Sequence, residues 1–229
     1  MPFARLLLAL VLLTAAAAGA VPFNSLFVFG DSGSDTGRRL EIQGVKPASP
    51  PYYNGRHSNG PMAVEYLQGA LGLTAPGQFV NYAVGGALSG HDNVDPAPVL
   101  DQTGLLDQFT TFHLGDSSHP AHVSADPDAL YYILGGDNDI SLCRGSTLDQ
   151  CTDAQLQDVI TNLQTLVLNL AGLGARHFLV IGPYGGGQNK DDFRTMLQAA
   201  MSNLDSTLDG DILYFDMRPL LLDMIANGA

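Results

Sequence analysis

Short apolar runs alternate along the chain with longer segments whose apolar residues recur every three or four positions. The short runs are typical of strands buried on both faces, and the longer period is that of an amphipathic helix. The pattern predicts five strands, at Leu26–Phe29, Phe79–Ala83, Leu130–Leu134, His177–Ile181 and Ile212–Phe215. It predicts helices at Pro61–Leu71, Leu100–Phe112, Thr152–Leu170, Asp192–Leu208 and Leu220–Ile225. Strands alternating with helices indicate right-handed βαβ units, and therefore an α/β fold around a central parallel sheet.

The longest predicted helix, Thr152–Leu170, carries the clearest amphipathic pattern. The residues of its apolar face are Leu156, Val159, Ile160, Leu163, Leu166, Val167 and Leu170. Their spacing places them on one side of a helix, and we expect that side to pack against the sheet.

The N-terminus reads as a signal peptide. Arg5 supplies a positive charge, Leu6–Leu13 is an apolar run, and Ala18–Ala20 is a small-residue cleavage pattern. We expect residues 1–20 to be removed, so that the mature chain begins near Val21 and is secreted. The alternative is an uncleaved anchor helix, but the apolar stretch is short for a membrane span.

Size and charge narrow the class of protein. The chain has 229 residues, of which 45% are hydrophobic, enough for one α/β domain over residues 21–229. The net charge of −13 argues against nucleic acid and anionic membrane surfaces as partners, since both require clustered Lys and Arg. No segment after the signal is long and apolar enough to cross a bilayer, so we expect no integral membrane segment in the mature chain.

The chain has two cysteines, Cys143 and Cys151. In an oxidising compartment they would close a small surface loop, whereas in a reducing one they would be free thiols. The export signal favours the disulfide.

Three predicted strands end in turns whose residues suit acyl-transfer chemistry. The first strand is followed by Ser32 between glycines, the second by Gly85 and Gly86, and the third by Asn138. Ligands of open parallel sheets bind beyond the carboxyl ends of the strands, where all three turns lie. A serine there attacks an acyl carbon if a base takes its proton, and backbone or amide N–H groups stabilise the resulting oxyanion.

These turns carry a family resemblance. FVFGDSGSDTG, NYAVGGA and GGDND resemble three blocks of the GDSL, or SGNH, esterases and lipases, and the likeness runs from about Phe27 to about Ala226. It implies a flavodoxin-like three-layer α/β/α sandwich (the SGNH hydrolase fold) with a central parallel five-stranded sheet. It also implies that Ser32 is the nucleophile and that Asp31 orients its loop. The oxyanion would be bound by the Ser32 and Gly86 N–H groups and the Asn138 side chain.

A Pro- and Gly-rich stretch, 46–61, is predicted to be a loop inside the domain. PPYYNGRHSNGPMAVEYL, which begins in it, is similar to a substrate-side loop and helix of the secreted branch of the family, so Asn59 and His57 are substrate-side candidates. Two residues depart from the family pattern. Gly33 stands where a larger apolar residue is usual, and His57 where an aromatic is usual.

The family's general base is a histidine in an Asp-x-x-His block that follows the fifth strand and its helix. No such block follows Asp216 in this sequence, and we expect the domain to be incomplete at its C-terminus. One match occurs earlier, at 116–119, but it precedes the third strand. We therefore expect it at the sheet edge opposite Ser32.

The rule that ligands bind beyond the carboxyl ends of parallel strands also divides the remaining histidines into two groups. Those predicted to lie away from Ser32 are His113, His122 and His177. His57 and His91 fall in loops on the Ser32 side, where each is either a replacement base or a solvated loop residue.

The sequence thus predicts a secreted serine hydrolase that cleaves carboxylic esters through an acyl-enzyme on Ser32. The resemblance implies acyl lipids, short acyl esters or acetylated sugars as substrates, and no metal or other cofactor. The alternative is a catalytically inactive binding protein of the same fold, or a fragment that lacks the catalytic histidine. Binding of an ester without turnover distinguishes this alternative.

Overall fold

The computed structural model describes residues 23–44, 51–143, 151–185 and 187–227. Its sheet consists of five parallel strands, β1 (Leu26–Gly30), β2 (Phe79–Asn81), β3 (Leu130–Leu134), β4 (His177–Ile181) and β5 (Asp211–Phe215). Their order across the sheet is β2-β1-β3-β4-β5. The predicted α/β fold with a central five-stranded parallel sheet is confirmed.

Helices connect the strands and cover the sheet. They are α1 (Arg38–Gln43), α2 (Ala63–Ala70), α3 (Leu105–Leu114), α4 (Asp137–Cys143), α5 (Asp153–Gly172), α6 (Gln188–Asp205) and α7 (Arg218–Ala226). The hydrophobic pattern did not predict α1 and α4. Both are shorter than two full turns of apolar periodicity, and α1 buries no residue.

Three predicted elements are shorter than expected, among them the helix predicted at Pro61–Leu71, which spans Ala63–Ala70. The segment predicted as one helix from Leu100 to Phe112 contains a 3-10 turn at Pro98–Leu100 and then α3. Gln102 lies between them with φ 56°, which interrupts a right-handed helix. The strand predicted to reach Ala83 ends at Asn81, and the Asn81 side chain accepts the Ala83 N–H at 2.9 Å just beyond it.

The two faces of the sheet pack into separate cores, and β1 contributes to both. Phe27 and Phe29 belong to a core that includes residues of α3, α5 and α6. Leu26 and Val28 belong to a second core on the opposite face, with residues from α2. This alternation follows from the two-residue period of a strand, and it explains why the strands are apolar throughout.

The apolar face of α5 is buried as predicted. The residues of this helix that the structure buries are Leu156, Val159, Ile160, Leu163, Leu166, Val167 and Leu170. The helix begins after Thr152, whose hydroxyl accepts the Gln155 N–H at 3.2 Å. Each fully buried aliphatic side chain contributes roughly 1.5–3 kcal/mol, so this face is a major stabilising contact of the domain.

The second face of the sheet is less completely covered near β5. Leu213 is 52% exposed, and α7, which follows β5, has no buried residue. None of the helices in the described ranges has both the length and the apolar character that crossing a membrane requires.

Candidate active site

Ser32 lies in the turn that follows β1, at the carboxyl edge of the sheet. Gln108, a buried residue of α3, holds the end of the strand: it accepts the Gly30 N–H and donates to the Gly30 carbonyl oxygen, both at 2.8 Å. A side chain on Gly30 would place its Cβ 2.8 Å from the carbonyl oxygen of Leu134. The position before the Ser32 turn therefore requires glycine.

Asp31 closes the turn around Ser32. Its Oδ1 accepts the Gly33 N–H at 2.9 Å, and its backbone carbonyl accepts the N–H groups of Ser34 and Asp35 at 3.0 Å. Asp31 is buried, whereas Ser32 is only partly buried. The hydrogen bonds of the buried Asp31 thus hold the turn, while Ser32 remains partly exposed to solvent.

Asp35 joins the Ser32 turn to the turn after β2. Its Oδ1 accepts the N–H groups of Gly37 and Arg38 at 2.7 Å, and its Oδ2 accepts the Gly85 N–H at 2.8 Å. The sequence analysis did not single out this buried carboxylate. Its position before α1, among residues typical of helix caps, is the signal that identifies it.

The turn after β2 also contacts the turn after β3. Gly86 has φ 88°, a conformation that favours glycine. Asn138 donates from Nδ2 to the Ala87 carbonyl oxygen at 2.9 Å, and Asp139 accepts the Ser89 hydroxyl at 2.7 Å. Among the described residues, the backbone N–H groups of Ser32 and Gly86 donate to no other group. The structure therefore brings the three strand-end turns together with two free donors.

A buried charge cluster lies beneath Ser32. Burial, together with the negative charges of Asp137 and Asp139, raises the pKa of Asp31 to about 7, although the Gly33 N–H and the Lys190 ammonium oppose the shift. Lys190 places its Nζ 2.5 Å from Asp137 Oδ1, and both side chains are nearly buried. The site therefore holds more carboxylates than the sequence analysis recognised.

Tyr184, in the turn after β4, lies beside the turn that holds Ser32, since a Cβ on Gly33 would be 3.6 Å from Tyr184 Cε1. Burial raises the pKa of Tyr184 to about 12, and the charges of Asp31 and Asp137 add to the shift. A tyrosine in a Pro-Tyr-Gly turn carries no recognisable sequence signal of its own.

The substrate-side candidates differ in their surroundings. His57 lies against Gly85, since a Cβ there would be 2.6 Å from His57 Cε1. Burial lowers the pKa of His57, the Arg39 charge adds to this, and Asp35 opposes it. Asn59 is exposed, and no contact among the described residues joins it to the Ser32 turn.

Two histidines have carboxylate partners, of which the sequence revealed only the Asp116 partner of His119. His91 Nδ1 lies 2.9 Å from Asp107 Oδ1, on an exposed surface. His119 Nδ1 lies 3.1 Å from Asp116 Oδ1, but the pair does not lie at the far edge of the sheet as expected. It packs beside edge strand β2, where the His119 ring is 4.6 Å from that of Tyr82 and its Nδ1 is 2.6 Å from an Arg38 nitrogen.

Each of the other three histidines contacts a neighbouring residue of the fold. His113 and His122 contact each other through a 3.2 Å approach of His113 Nδ1 to the His122 carbonyl oxygen, and His177 lies 3.4 Å from Asp211 at the start of β5. All six histidines fall within the described residues, and none has a described contact with Ser32.

The two cysteines are joined by a disulfide between the end of α4 and the residue before Thr152, with the two Cα atoms 5.1 Å apart. The disulfide connects the helix that carries Asn138 to the start of α5. Residues 144–150, which it encloses, lie outside the described ranges.

Comparisons with known proteins agree with this arrangement. A family model described as GDSL-like Lipase/Acylhydrolase matches residues 26–210. The phosphatidylcholine-sterol acyltransferase of Aeromonas hydrophila is 36% identical over 189 residues, covering 80% of this chain and 51% of that protein. Acetylajmalan esterase 2 of Rauvolfia serpentina is 26% identical over 197 residues, covering 72% of this chain and 54% of the other. The chain spans about half the length of these two curated relatives.

Solved structures share the fold. A catalytic mutant of Axe2, an acetylxylan esterase from Geobacillus stearothermophilus, superposes with a TM-score of 0.51 at 16% identity, covering 90% of this chain and 83% of that one. A carbohydrate esterase described as having divergent catalytic and non-catalytic binding functions superposes with a TM-score of 0.52 at 16% identity, covering 86% and 59%.

Proposed function

Because this chain belongs to the GDSL-like lipase/acylhydrolase family, we propose that it is an ester hydrolase whose nucleophile is Ser32. The observation that carries the proposal is the contact between three strand-end turns. Asp35 joins the Ser32 turn to Gly85 after β2, and Asn138, after β3, donates a hydrogen bond to Ala87 after β2. Ser32, which is partly exposed, therefore lies at the same sheet edge as two backbone N–H groups, its own and that of Gly86. Neither donates to another described group.

In the proposed reaction, Ser32 Oγ attacks the carbonyl carbon of a carboxylic ester. The carbonyl oxygen becomes an oxyanion that accepts hydrogen bonds from the Ser32 and Gly86 N–H groups and from Asn138, each such donor contributing roughly 3–4 kcal/mol in a well-studied protease. A base takes the serine proton and returns it to the departing alcohol. Water then cleaves the acyl-enzyme by the same route in reverse.

The substrate class and the location of the protein form part of the proposal. Three relatives are named for an acyltransferase or for esterases of acetylated molecules, which supports small acyl esters of lipids, sugars or other alcohols as substrates. The signal-like N-terminus, 1–20, and the disulfide between Cys143 and Cys151 support export. The mature domain would then begin near Val21.

The test is hydrolysis of a short-chain chromogenic ester by the purified full chain. Ser32→Ala should lower turnover by several orders of magnitude, since loss of a catalytic serine has cost about a millionfold elsewhere. Ser117→Ala, which removes an exposed loop hydroxyl, is the matched control and should leave turnover unchanged. Turnover that survives in Ser32→Ala would reject Ser32 as the nucleophile.

The same assay addresses the base and the inactive alternative. His57→Ala and His91→Ala identify which loop histidine, if either, takes the serine proton, because only the base should change the pH profile of turnover. Binding of the ester without turnover by the folded native chain would instead support a non-catalytic binding protein.

A further inference from the structure

The peptide group between Gly85 and Gly86 is held from its carbonyl side. Arg39, on α1, donates from a terminal guanidinium nitrogen to the Gly85 carbonyl oxygen at 3.0 Å. Asn93, in the loop after Gly86, donates from Nδ2 to the same oxygen at 3.1 Å. This carbonyl and the Gly86 N–H belong to one peptide group. Two side chains therefore hold the group that supplies the proposed oxyanion donor.

The planarity of the peptide group transmits these contacts to Gly86. In a planar trans peptide the C=O and N–H bonds point in opposite directions, so fixing the Gly85 oxygen toward Arg39 also fixes the direction of the Gly86 N–H. Hydrogen bonds that are linked in a chain polarise one another, and a cationic donor at the oxygen makes the N–H a stronger donor. The Gly86 N–H donates to no group among the described residues, so it is available to a ligand.

The Arg39 guanidinium is itself fixed on all sides. Its Nε donates to Gln43 Oε1 at 3.1 Å, its other terminal nitrogen pairs with Asp95, and its side chain is only 19% exposed. The two glycines permit its close approach, since a Cβ on Gly85 would lie 3.1 Å from Arg39 Cδ and one on Gly86 would lie 3.1 Å from a terminal nitrogen. A planar fork of donors makes these contacts together, which the single ammonium of a lysine would not.

Building on the function proposed above, we infer that Arg39 is a positioning residue of the reaction, whose guanidinium orients and polarises the Gly85–Gly86 peptide group toward the oxyanion. The arginine acts through the peptide group and takes no part in proton transfer. Its contribution belongs to the transition state, where the negative charge develops, rather than to binding of the ester. Asn93 supports the same carbonyl as an uncharged second donor.

The test measures how fast a fluorophosphonate probe labels the full chain, because its phosphoryl oxygen gains negative charge as the serine attacks. A series of probe concentrations separates the maximal labelling rate from the concentration that gives half of it. Arg39→Met keeps the length of the stem and removes the guanidinium. Outright loss of an oxyanion donor has cost roughly 100- to 1,000-fold elsewhere, so loosening one should lower the maximal rate by roughly tenfold, with the half-maximal concentration unchanged.

Arg176→Met is the matched control. It removes an arginine that pairs with Asp209 just before β4, at the sheet edge opposite Ser32, and changes the net charge by the same amount. This variant should label at the native rate. A loss equal to that of Arg39→Met would assign the effect to charge alone and overturn the inference.

A second variant tests the same carbonyl while leaving Arg39 in place. Asn93→Asp keeps the oxygen that accepts the Asp95 N–H at 3.0 Å but has no hydrogen to donate to the Gly85 oxygen. It should also lower the maximal rate at an unchanged half-maximal concentration, and melting temperatures establish that each variant is folded. If Arg39→Met does not fold, a native maximal rate in Asn93→Asp would overturn the inference.

The outcomes separate this inference from the proposed function. Labelling that persists in Ser32→Ala, or a native chain that does not label, would reject Ser32 as the nucleophile and with it the role of Arg39. Labelling that depends on Ser32 but keeps its native maximal rate in folded Arg39→Met would overturn the inference alone. A change confined to the half-maximal concentration would overturn it as well, since it would assign the arginine to binding.

Discussion

At the scale of single residues, this site is defined by buried carboxylates as much as by its serine. Asp31 and Asp35 are both fully enclosed, and each accepts several backbone N–H groups around the nucleophile turn. The Asp35 side chain accepts backbone N–H groups that have no partner in regular secondary structure there. The positions of Ser32 and Gly86 thus depend on side chains that are buried beneath the surface.

Asp31 should make the stability of the protein depend on pH. Its pKa is about 7 in the folded state and 3.8 in the reference state, so folding retains a proton that the unfolded chain releases. Its stabilising contribution is therefore fully present below about pH 4 and is lost as the pH rises through about 7, at a total cost of about 4 kcal/mol. Asp31→Asn keeps an acceptor for Gly33 and should be more stable than the native protein at about pH 8, but not at about pH 4.

Urea unfolding across this pH range measures the difference. Asp158→Asn, an exposed change on α5, provides the control and should follow the native curve. Native and Asp31→Asn curves that stay parallel from acid to alkaline pH would contradict the prediction.

Part of this site was predictable from sequence, and part was not. Ser32, Gly86 and Asn138 follow strands, and the rule for ligands of parallel sheets is enough to bring them together. Tyr184 lies beside Gly33, and Lys190 lies over the Tyr184 ring, through side-chain packing between separate elements that no local pattern encodes. The Asp107 partner of His91 was missed for the same reason.

At the scale of elements, length decides what a hydrophobic pattern predicts. The buried face of α5 was identified residue by residue, because twenty residues repeat the helical period several times. α1 and α4, with six and seven residues, do not repeat it often enough to be recognised. α1 follows the turn that holds Ser32, and α4 carries Asn138 in its first turn.

The buried face of α5 should dominate the response of this helix to mutation. Leu163→Ala removes a side chain that is 1% exposed and should lower the free energy of unfolding by about 2–5 kcal/mol. Leu168→Ala makes the same chemical change on the same helix at a 48% exposed position and should cost less than about 1 kcal/mol. Chemical denaturation compares the two, and equal losses would contradict the assigned face.

At the scale of the whole molecule, charge is the dominant feature. A net charge of −13 on 229 residues produces mutual repulsion that folding intensifies, because the compact state brings the charges closer together. Exposed ion pairs such as Arg176–Asp209 offset little of it, since each contributes about 0–1 kcal/mol.

Added salt should therefore stabilise the protein. Raising ionic strength from roughly 0.01 M to 0.15 M shortens the screening length from about 30 Å to about 8 Å and should raise the melting temperature at neutral pH. The same titration at about pH 5, nearer the isoelectric point of about 4.4, should show a smaller rise. A melting temperature that falls with salt at neutral pH would mean that ion pairs outweigh the repulsion.

The position of β1 inside the sheet has a consequence for the order of events in folding. β1 lies near the start of the chain, but its partner β3 is separated from it by nearly half the sequence. Contacts at such separation form slowly, because the entropy of closing a long loop is lost before the contacts contribute any stabilising free energy. A nascent chain therefore carries Ser32, the proposed nucleophile, among the first residues made but gains the geometry around it among the last. Recovery of serine reactivity during refolding should thus report completion of the whole sheet rather than local formation of the turn.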